Sequence, residues 1–136
     1  MSKSNATEND LVAYIFNATA PSWAGNGNVY LSLHTADPGE AGSQTTSEAT
    51  YTGYARVALS RDSSGWTVSS NQAVNTALVQ FGLCSAGSET ITHIAVGTAT
   101  SGAGQILYSG ALNSSIAVSA NVQPQFAASA LVIQED

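Results

Sequence analysis

Short stretches of alternating apolar and polar residues fill most of the chain after residue 27. The clearest stretch, residues 28 to 35, divides its side chains into an aliphatic set and a polar or aromatic set: Val29, Leu31 and Leu33 against Tyr30, Ser32 and His34. Successive side chains of a β-strand point to opposite faces. The stretch therefore predicts a half-buried strand in which His34 lies half-exposed beside Tyr30.

Further stretches of this kind follow, separated by clusters of Gly, Ser and Asn. They are residues 54–61, 66–70, 77–82, 90–97, 105–112, 115–120 and 125–134. Asp62 to Gly65, between the first two, predicts a hairpin that joins them. The last stretch is apolar on both faces, which predicts a central strand or one covered by a neighbouring subunit, because a free edge of this kind invites aggregation.

The first 26 residues have a different pattern. Thr7 and the acidic residues after it precede an apolar run that places Leu11, Tyr14, Ile15 and Ala18 on one helical face, which predicts a helix over residues 8–18. Trp23 is expected to fill the space between this helix and the sheet. The fold class predicted is mainly β, a compact antiparallel β-sandwich or barrel-like domain of about eight strands with one short N-terminal helix. Residues 1–136 are expected to form a single domain, with 1–26 as helix and arm and 27–136 as the β-domain.

Charged side chains are scarce in this sequence. Three basic residues stand against nine acidic ones, and charged residues make up 9% of the chain, where about 25% is usual. Nucleic-acid binding needs clustered Lys and Arg, so no nucleic-acid partner is expected. A charge-poor surface loses little side-chain entropy on burial and resembles the centre of protein interfaces, which favours assembly.

Cysteine content and hydropathy exclude further classes of protein. Cys84 is the single cysteine, so an intrachain disulfide and a Cys-rich zinc site are excluded, and Cys84 is expected in the core. No apolar run has the length of a membrane span, and the polar N-terminus differs from a secretory signal. We expect synthesis in the cytoplasm and no membrane partner.

No arrangement of residues indicates catalysis. His34 and His93 both fall inside predicted strands, where a structural role is expected, for His93 a cross-strand hydrogen bond. The acidic residues Asp37, Glu40, Glu48 and Glu89 fall in predicted loops without an aromatic sugar platform. The run from Gly97 to Gly104 lacks the Lys of a phosphate-binding loop and predicts a turn. The sequence therefore predicts no enzyme, with no catalytic, cofactor-binding or metal-binding residue and no cofactor.

Aromatic and arginine side chains are the remaining candidates for contact with another protein. Tyr51, Tyr54, Arg56 and Trp23 are of the types enriched at interface hot spots. In an equally weighted alternative, Tyr54 packs locally and Arg56 neutralises a nearby carboxylate. Residues 37–50 open with the turn Asp37-Pro38-Gly39 and predict a long polar surface loop.

Three segments of the sequence resemble a known group of proteins. They are YLSLHTADPGEAGSQTTSEATYTGYARV, the opening MSKSNATENDL and ITHIAVGTATSGAGQILYSG. Together they cover close to half of the chain and resemble small structural proteins of tailed bacteriophages, often labelled tail-fibre proteins and similar to capsid cement or decoration proteins. The resemblance implies a virion role. Its likeness to cement proteins implies, more specifically, a homotrimer that sits on the capsid outer surface and binds the major capsid protein.

The location within the virion is open at this stage. The sequence has no internal repeat of the kind an elongated fibre shaft shows, which favours a capsid cement protein that stabilises the assembled shell. The alternative is a tail-fibre or tail-tip adhesin that binds a host surface receptor. A small virion hydrolase ranks below both, because its nucleophile, base and metal signals are missing.

Overall fold

Ten β-strands and one α-helix make up the fold, in a computed structural model that describes residues 1–136. In chain order they are β1 (Ser2–Lys3), α1 (Asn5–Asn17), β2 (Asn28–His34), β3 (Val57–Ser60), β4 (Trp66–Ser69), β5 (Gln72–Asn75), β6 (Val79–Gln80), β7 (Glu89–Gly97), β8 (Ile106–Val118), β9 (Gln125–Phe126) and β10 (Val132–Gln134). All pairings are antiparallel. The predicted mainly β class with a short N-terminal helix is confirmed, and the sheets are open rather than closed into a barrel.

A five-stranded sheet in the order β1-β8-β7-β2-β3 forms the centre of the molecule. Leu31 lies opposite Val96 and Leu33 opposite Ile94, and all four face a single hydrophobic core. A three-stranded sheet, β10-β5-β4, and the β6-β9 pair supply further side chains to this core, including Ile133 and Phe126. The other face of the large sheet carries buried Ser32 and His34.

The predicted hairpin between residues 54–61 and 66–70 is wrong. β3 pairs with β2 in the large sheet, while β4 pairs with β5 in the three-stranded sheet. Asp62 accepts hydrogen bonds from the backbone N–H and hydroxyl of Ser64, so residues 62–65 form a turn that carries the chain from one sheet to the other. Alternation identifies a strand but not its partner, and the hairpin forms instead across Ser70 and Asn71, with Ser70 at φ 54°.

The prediction of one central strand over residues 125–134 is also wrong. β9 and β10 belong to different sheets, and Ser129 between them has a φ of 65°. Asn75, fully buried, donates to Ala127 O and accepts from Leu131 N. These two hydrogen bonds give the backbone groups between β9 and β10 partners within the subunit. Conversely, the separate predicted strands 105–112 and 115–120 form one continuous strand, β8.

Helix α1 starts earlier than predicted and is attached by its first turn. Ser4 is the N-cap and its hydroxyl accepts from Thr7 N at 3.3 Å, while Ser4 and Thr7 also donate to Ile106 O of β8. Thr7 is the one buried residue of the helix. The predicted helical face is therefore not buried, and Tyr14 and Ile15 are 55% and 68% exposed.

Two glycines allow a close approach of backbone segments beside the core. A Cβ added to Gly82 would lie 1.8 Å from Gly53 O, and one added to Gly53, where φ is 104°, would lie 2.2 Å from Leu83 O. We expect Gly82→Ala to lower the free energy of unfolding by about 1–3 kcal/mol, the usual cost of overpacking, in urea titrations. Gly25→Ala, where a Cβ would meet nothing within 4 Å, is the control, and equal losses in both variants would contradict the prediction.

Candidate functional site

A buried ion pair joins the loop after β2 to the segment before β3. Arg56 donates to Glu48 through two parallel bonds, Nε to Oε1 at 2.7 Å and Nη2 to Oε2 at 2.8 Å. The Arg56 side chain is 3% exposed and the Glu48 side chain 15%. Arg56 also donates to the carbonyl oxygens of Ala99 and Gly102 at 2.9 and 2.7 Å. The hydrogen bonds to Glu48 raise the pKa of Arg56, so Arg56 neutralises a nearby carboxylate, as the sequence alternative allowed.

The two candidate tyrosines are bonded within the subunit. Tyr54 donates to Glu48 Oε1 at 2.8 Å and accepts from Leu33 N at 3.1 Å, and its ring stacks on Phe81 with centroids 6.2 Å apart. Tyr51 is 5% exposed and donates to Gly82 O at 2.8 Å. Burial raises the pKa of Tyr54 far above its ordinary value and that of Tyr51 to about 12, so both hydroxyls stay protonated and act as donors.

Trp23, the fourth candidate, connects the helix to the start of the β-domain. Its indole Nε1 donates to Asp10 Oδ2 of α1 at 2.8 Å, and the Arg61 guanidinium lies 5.6 Å from the centre of its ring. Trp23 also packs against the core, in keeping with the predicted position between helix and sheet. Contact of these four side chains with another subunit stays a prediction.

Gln44 is a structural residue that sequence reasoning missed. The 37–50 segment was predicted to be a polar surface loop, yet Gln44 is 0% exposed. Its side chain donates to Tyr30 O at 3.1 Å and accepts from Ala99 N at 3.0 Å. A Gln inside a polar run carries no sequence signal of burial, because only the folded loop brings these backbone groups to it.

Both histidines differ from their predicted surroundings. His34 was expected to be half-exposed but is fully buried, because the 37–50 segment folds over its side of the sheet. Its Nδ1 donates to Thr46 O at 2.8 Å, and its Nε2 lies 2.9 Å from Ser32 Oγ as an acceptor. His93 hydrogen-bonds Thr92 of its own strand at 2.8 Å, rather than a residue across the sheet as predicted.

Burial of His34 links stability to pH. Desolvation lowers the pKa of His34 from its ordinary value of 6.5, so the unfolded chain binds a proton at pH values where the folded chain does not. The free energy of unfolding should therefore decrease as pH falls below about 6.5. We expect urea titrations across pH 7.5 to 5 to show a flatter pH dependence for His34→Gln than for the parent, with His93→Gln as the control. A parent-like slope in His34→Gln would contradict the prediction.

The polar groups under the loop form no accessible reaction centre. Ser32 and His34 have the distance of a nucleophile and its base, but both are 0% exposed, so a substrate cannot reach them. No group of three His, Cys, Asp or Glu side chains is positioned to hold a metal ion. The arrangement instead fixes the 37–50 segment and the turn at residues 98–104 on the sheet.

An apolar cleft opens between the five-stranded and three-stranded sheets. It has a volume of about 690 Å³ and is lined mainly by apolar side chains of both sheets, among them Val29, Val96, Leu107, Trp66, Val68 and Ile133. The register of the β7–β8 pairing shifts between Val96 and Gly97, so Leu107 of β8 has no partner residue on β7. As a result, Leu107 and Tyr108 both contact the core side. Lys3, Tyr108 and Glu135 are joined by hydrogen bonds beside the cleft.

Comparison with known protein families identifies the group to which the chain belongs. A family model described as podophage GP4 fiber I protein gp80 matches residues 2–134. The chain is a member of this family. The gp80 family description names a phage fibre protein, which confirms the resemblance to phage structural proteins.

No curated protein matches the chain. In this gp80-family protein, no helix combines the length and apolarity needed to cross a membrane.

Proposed function

We propose that the chain is a subunit of a virion fibre that contributes to binding a host surface receptor. The observation that carries the proposal is the family match, which spans residues 2–134 and describes a fibre protein. Two exposed apolar surfaces, the cleft and the outer side of α1, support a role in an assembly. We therefore prefer the tail-fibre hypothesis, which was the alternative in the sequence analysis, to the capsid cement hypothesis.

The missing internal repeat does not argue against a fibre once the fold is known. A compact subunit can build an extended structure when identical copies are related by symmetry, and no repetition inside one chain is then required. The small number of charged side chains, 9% of the sequence, supports burial of a large part of the surface between copies.

A capsid cement protein on the outer surface of the head is the second candidate. The resemblance to decoration proteins and the compact subunit favour it. In that case the protein would form a homotrimer and bind the major capsid protein, and it would stabilise the assembled shell because it binds that state preferentially.

A non-enzymatic role is part of the proposal. It is supported by the full burial of Ser32 and His34, the one Ser–His pair at hydrogen-bond distance. The two apolar surfaces, the cleft and the outer side of α1, suit protein contact better than chemistry.

Gold-labelled antibodies against the purified chain would locate it on intact virions by electron microscopy. A fibre subunit should be labelled at the tail, and pre-incubation with the antibody should reduce adsorption to host cells. An antibody against the major capsid protein is the control for head labelling. Label spread over the head, with adsorption unchanged, would overturn the fibre proposal and favour the cement protein.

A further inference from the structure

Asn26 and Gly27 lie in the connection between α1 and β2. Both residues are exposed, and they are the one Asn-Gly pair of the sequence. Asparagine is thermolabile, because the backbone nitrogen of the next residue can attack the amide carbon of its side chain. Glycine leaves that nitrogen without a neighbouring side chain and gives the backbone its widest choice of angles. The pair therefore has the residue types in which this intramolecular reaction meets the least steric hindrance.

The fold leaves both reacting groups of this pair free. The backbone N–H of Gly27 has no hydrogen-bond partner in the subunit, so no bond has to break before its nitrogen attacks. The amide of Asn26 makes a single hydrogen bond, from Nδ2 to Thr98 O at 3.5 Å, which is longer than a normal bond. A Cβ added to Gly27 would meet nothing within 4 Å, so the space around the pair is open.

Asn75 has the opposite arrangement in the same chain. It is fully buried, its amide nitrogen donates to Ala127 O at 2.9 Å, and its amide oxygen accepts from Leu131 N at 2.9 Å. The next backbone N–H, that of Thr76, donates to Gly65 O at 3.0 Å. Both reacting groups are occupied, so Asn75 is expected to stay intact in the folded protein and is the internal reference for Asn26.

We propose that Asn26 is a site of spontaneous deamidation. Gly27 N bonds to Asn26 Cγ, the bond from Cγ to Nδ2 breaks, and Nδ2 leaves as ammonia with the proton that Gly27 N has lost. The product is a succinimide ring, which one water molecule opens. Opening at Cγ gives aspartate, and opening at the backbone carbonyl carbon gives isoaspartate. One water is consumed and one ammonia released, and no oxidant or reductant is needed.

The modification changes the connection that attaches α1 to the β-domain. Arg61 Nη1 donates to the carbonyl oxygens of Trp23, Ala24 and Asn26 at 3.0, 3.0 and 2.7 Å. Aspartate at position 26 adds a negative charge and keeps this backbone. Isoaspartate inserts one more carbon into the main chain and converts the carbonyl that Arg61 holds into a carboxylate. Deamidation therefore alters the hold of Arg61 on this segment without touching the core.

Peptide mapping by mass spectrometry, after incubation of the full chain in mildly alkaline buffer, tests the proposal. Gly27→Ala is expected to slow the conversion of Asn26 about tenfold or more, a barrier increase of about 1.4 kcal/mol, because a methyl group crowds the attacking nitrogen and restricts the backbone. The open space at Gly27 lets this variant fold. Gly25→Ala, where a Cβ also meets nothing within 4 Å, is the matched control and should convert at the parent rate.

The same measurement on the chain unfolded in guanidinium chloride separates the effect of the fold from that of the sequence. Asn26 should convert at similar rates in the folded and unfolded chains, whereas Asn75 should convert only after unfolding. An Asn26 that stays intact in the folded chain, or equal rates in Gly27→Ala and the parent, would overturn the proposal. The purified chain is used, so neither outcome depends on whether the protein belongs to the head or the tail.

Discussion

Replacing Arg56 by Met should lower the free energy of unfolding by about 3–5 kcal/mol, the usual loss when one partner of a buried ion pair is removed. The substitution leaves Glu48 largely buried without its cation. It also leaves the carbonyl oxygen of Ala99 without its Arg56 donor and that of Gly102 with only the backbone N–H of Gly104. Urea titration measures the loss, and hydrogen exchange should show faster exchange in residues 37–50 and 98–104.

Arg61→Met is the matched control for this substitution. Arg61 also donates to three backbone carbonyl groups, those of Trp23, Ala24 and Asn26, but it is exposed and water can replace it. The double variant Glu48→Met with Arg56→Met should lose less than the sum of the two single variants, by about 0.5–3 kcal/mol. Additive losses of stability in the double variant would show that Glu48 and Arg56 do not act as a unit. Equal losses for Arg56→Met and Arg61→Met would likewise contradict the prediction.

Truncation of Phe81 to Ala should have a comparable effect, about 3–5 kcal/mol, as for other buried aromatic residues. Phe81 is 1% exposed. Its ring stacks on Tyr54 and meets Phe126 edge to face, both at 6.2 Å between centroids. Deletion would leave a cavity where the large sheet, the β6-β9 pair and the Tyr54 segment meet.

Phe81→Leu is expected to restore part of the loss, because it refills part of the cavity. Leu78→Ala, three residues away and 52% exposed, is the control and should change stability by less than about 0.5 kcal/mol. A loss of that size for Phe81→Ala as well would mean that the core relaxes to fill the space.

The local sequence pattern predicted features that depend on a single strand or helix. The alternation of residues 28–35 predicts β2 and its inward Leu31 and Leu33 almost to the residue. The lone Cys84 lies in the core as predicted, fully buried. In the N-terminal segment the helix exists, but its burial was not predictable, since an apolar face is the same whether it meets its own sheet or another subunit.

The candidate site was predictable only in its residue types. Arg56 and Tyr54 stand out in a sequence poor in charged and aromatic residues, but their partner Glu48 lies in a polar loop among other carboxylates. The burial of Gln44 and Asn75 has no local signal, because it depends on partners such as Ala99 N and Leu131 N, which lie 55 and 56 residues further along the chain.

The amino-acid sequence by itself determined the β class, the N-terminal helix, the charge-poor surface and the relation to phage structural proteins. These follow from period, composition and motif, which are local or global properties of the sequence. Only the tertiary structure decided which strands pair, that His34 and Arg56 are buried, and that a cleft and an apolar helix remain open. Those features depend on contacts between residues far apart in the chain, and the free energy of such contacts is set by the whole fold.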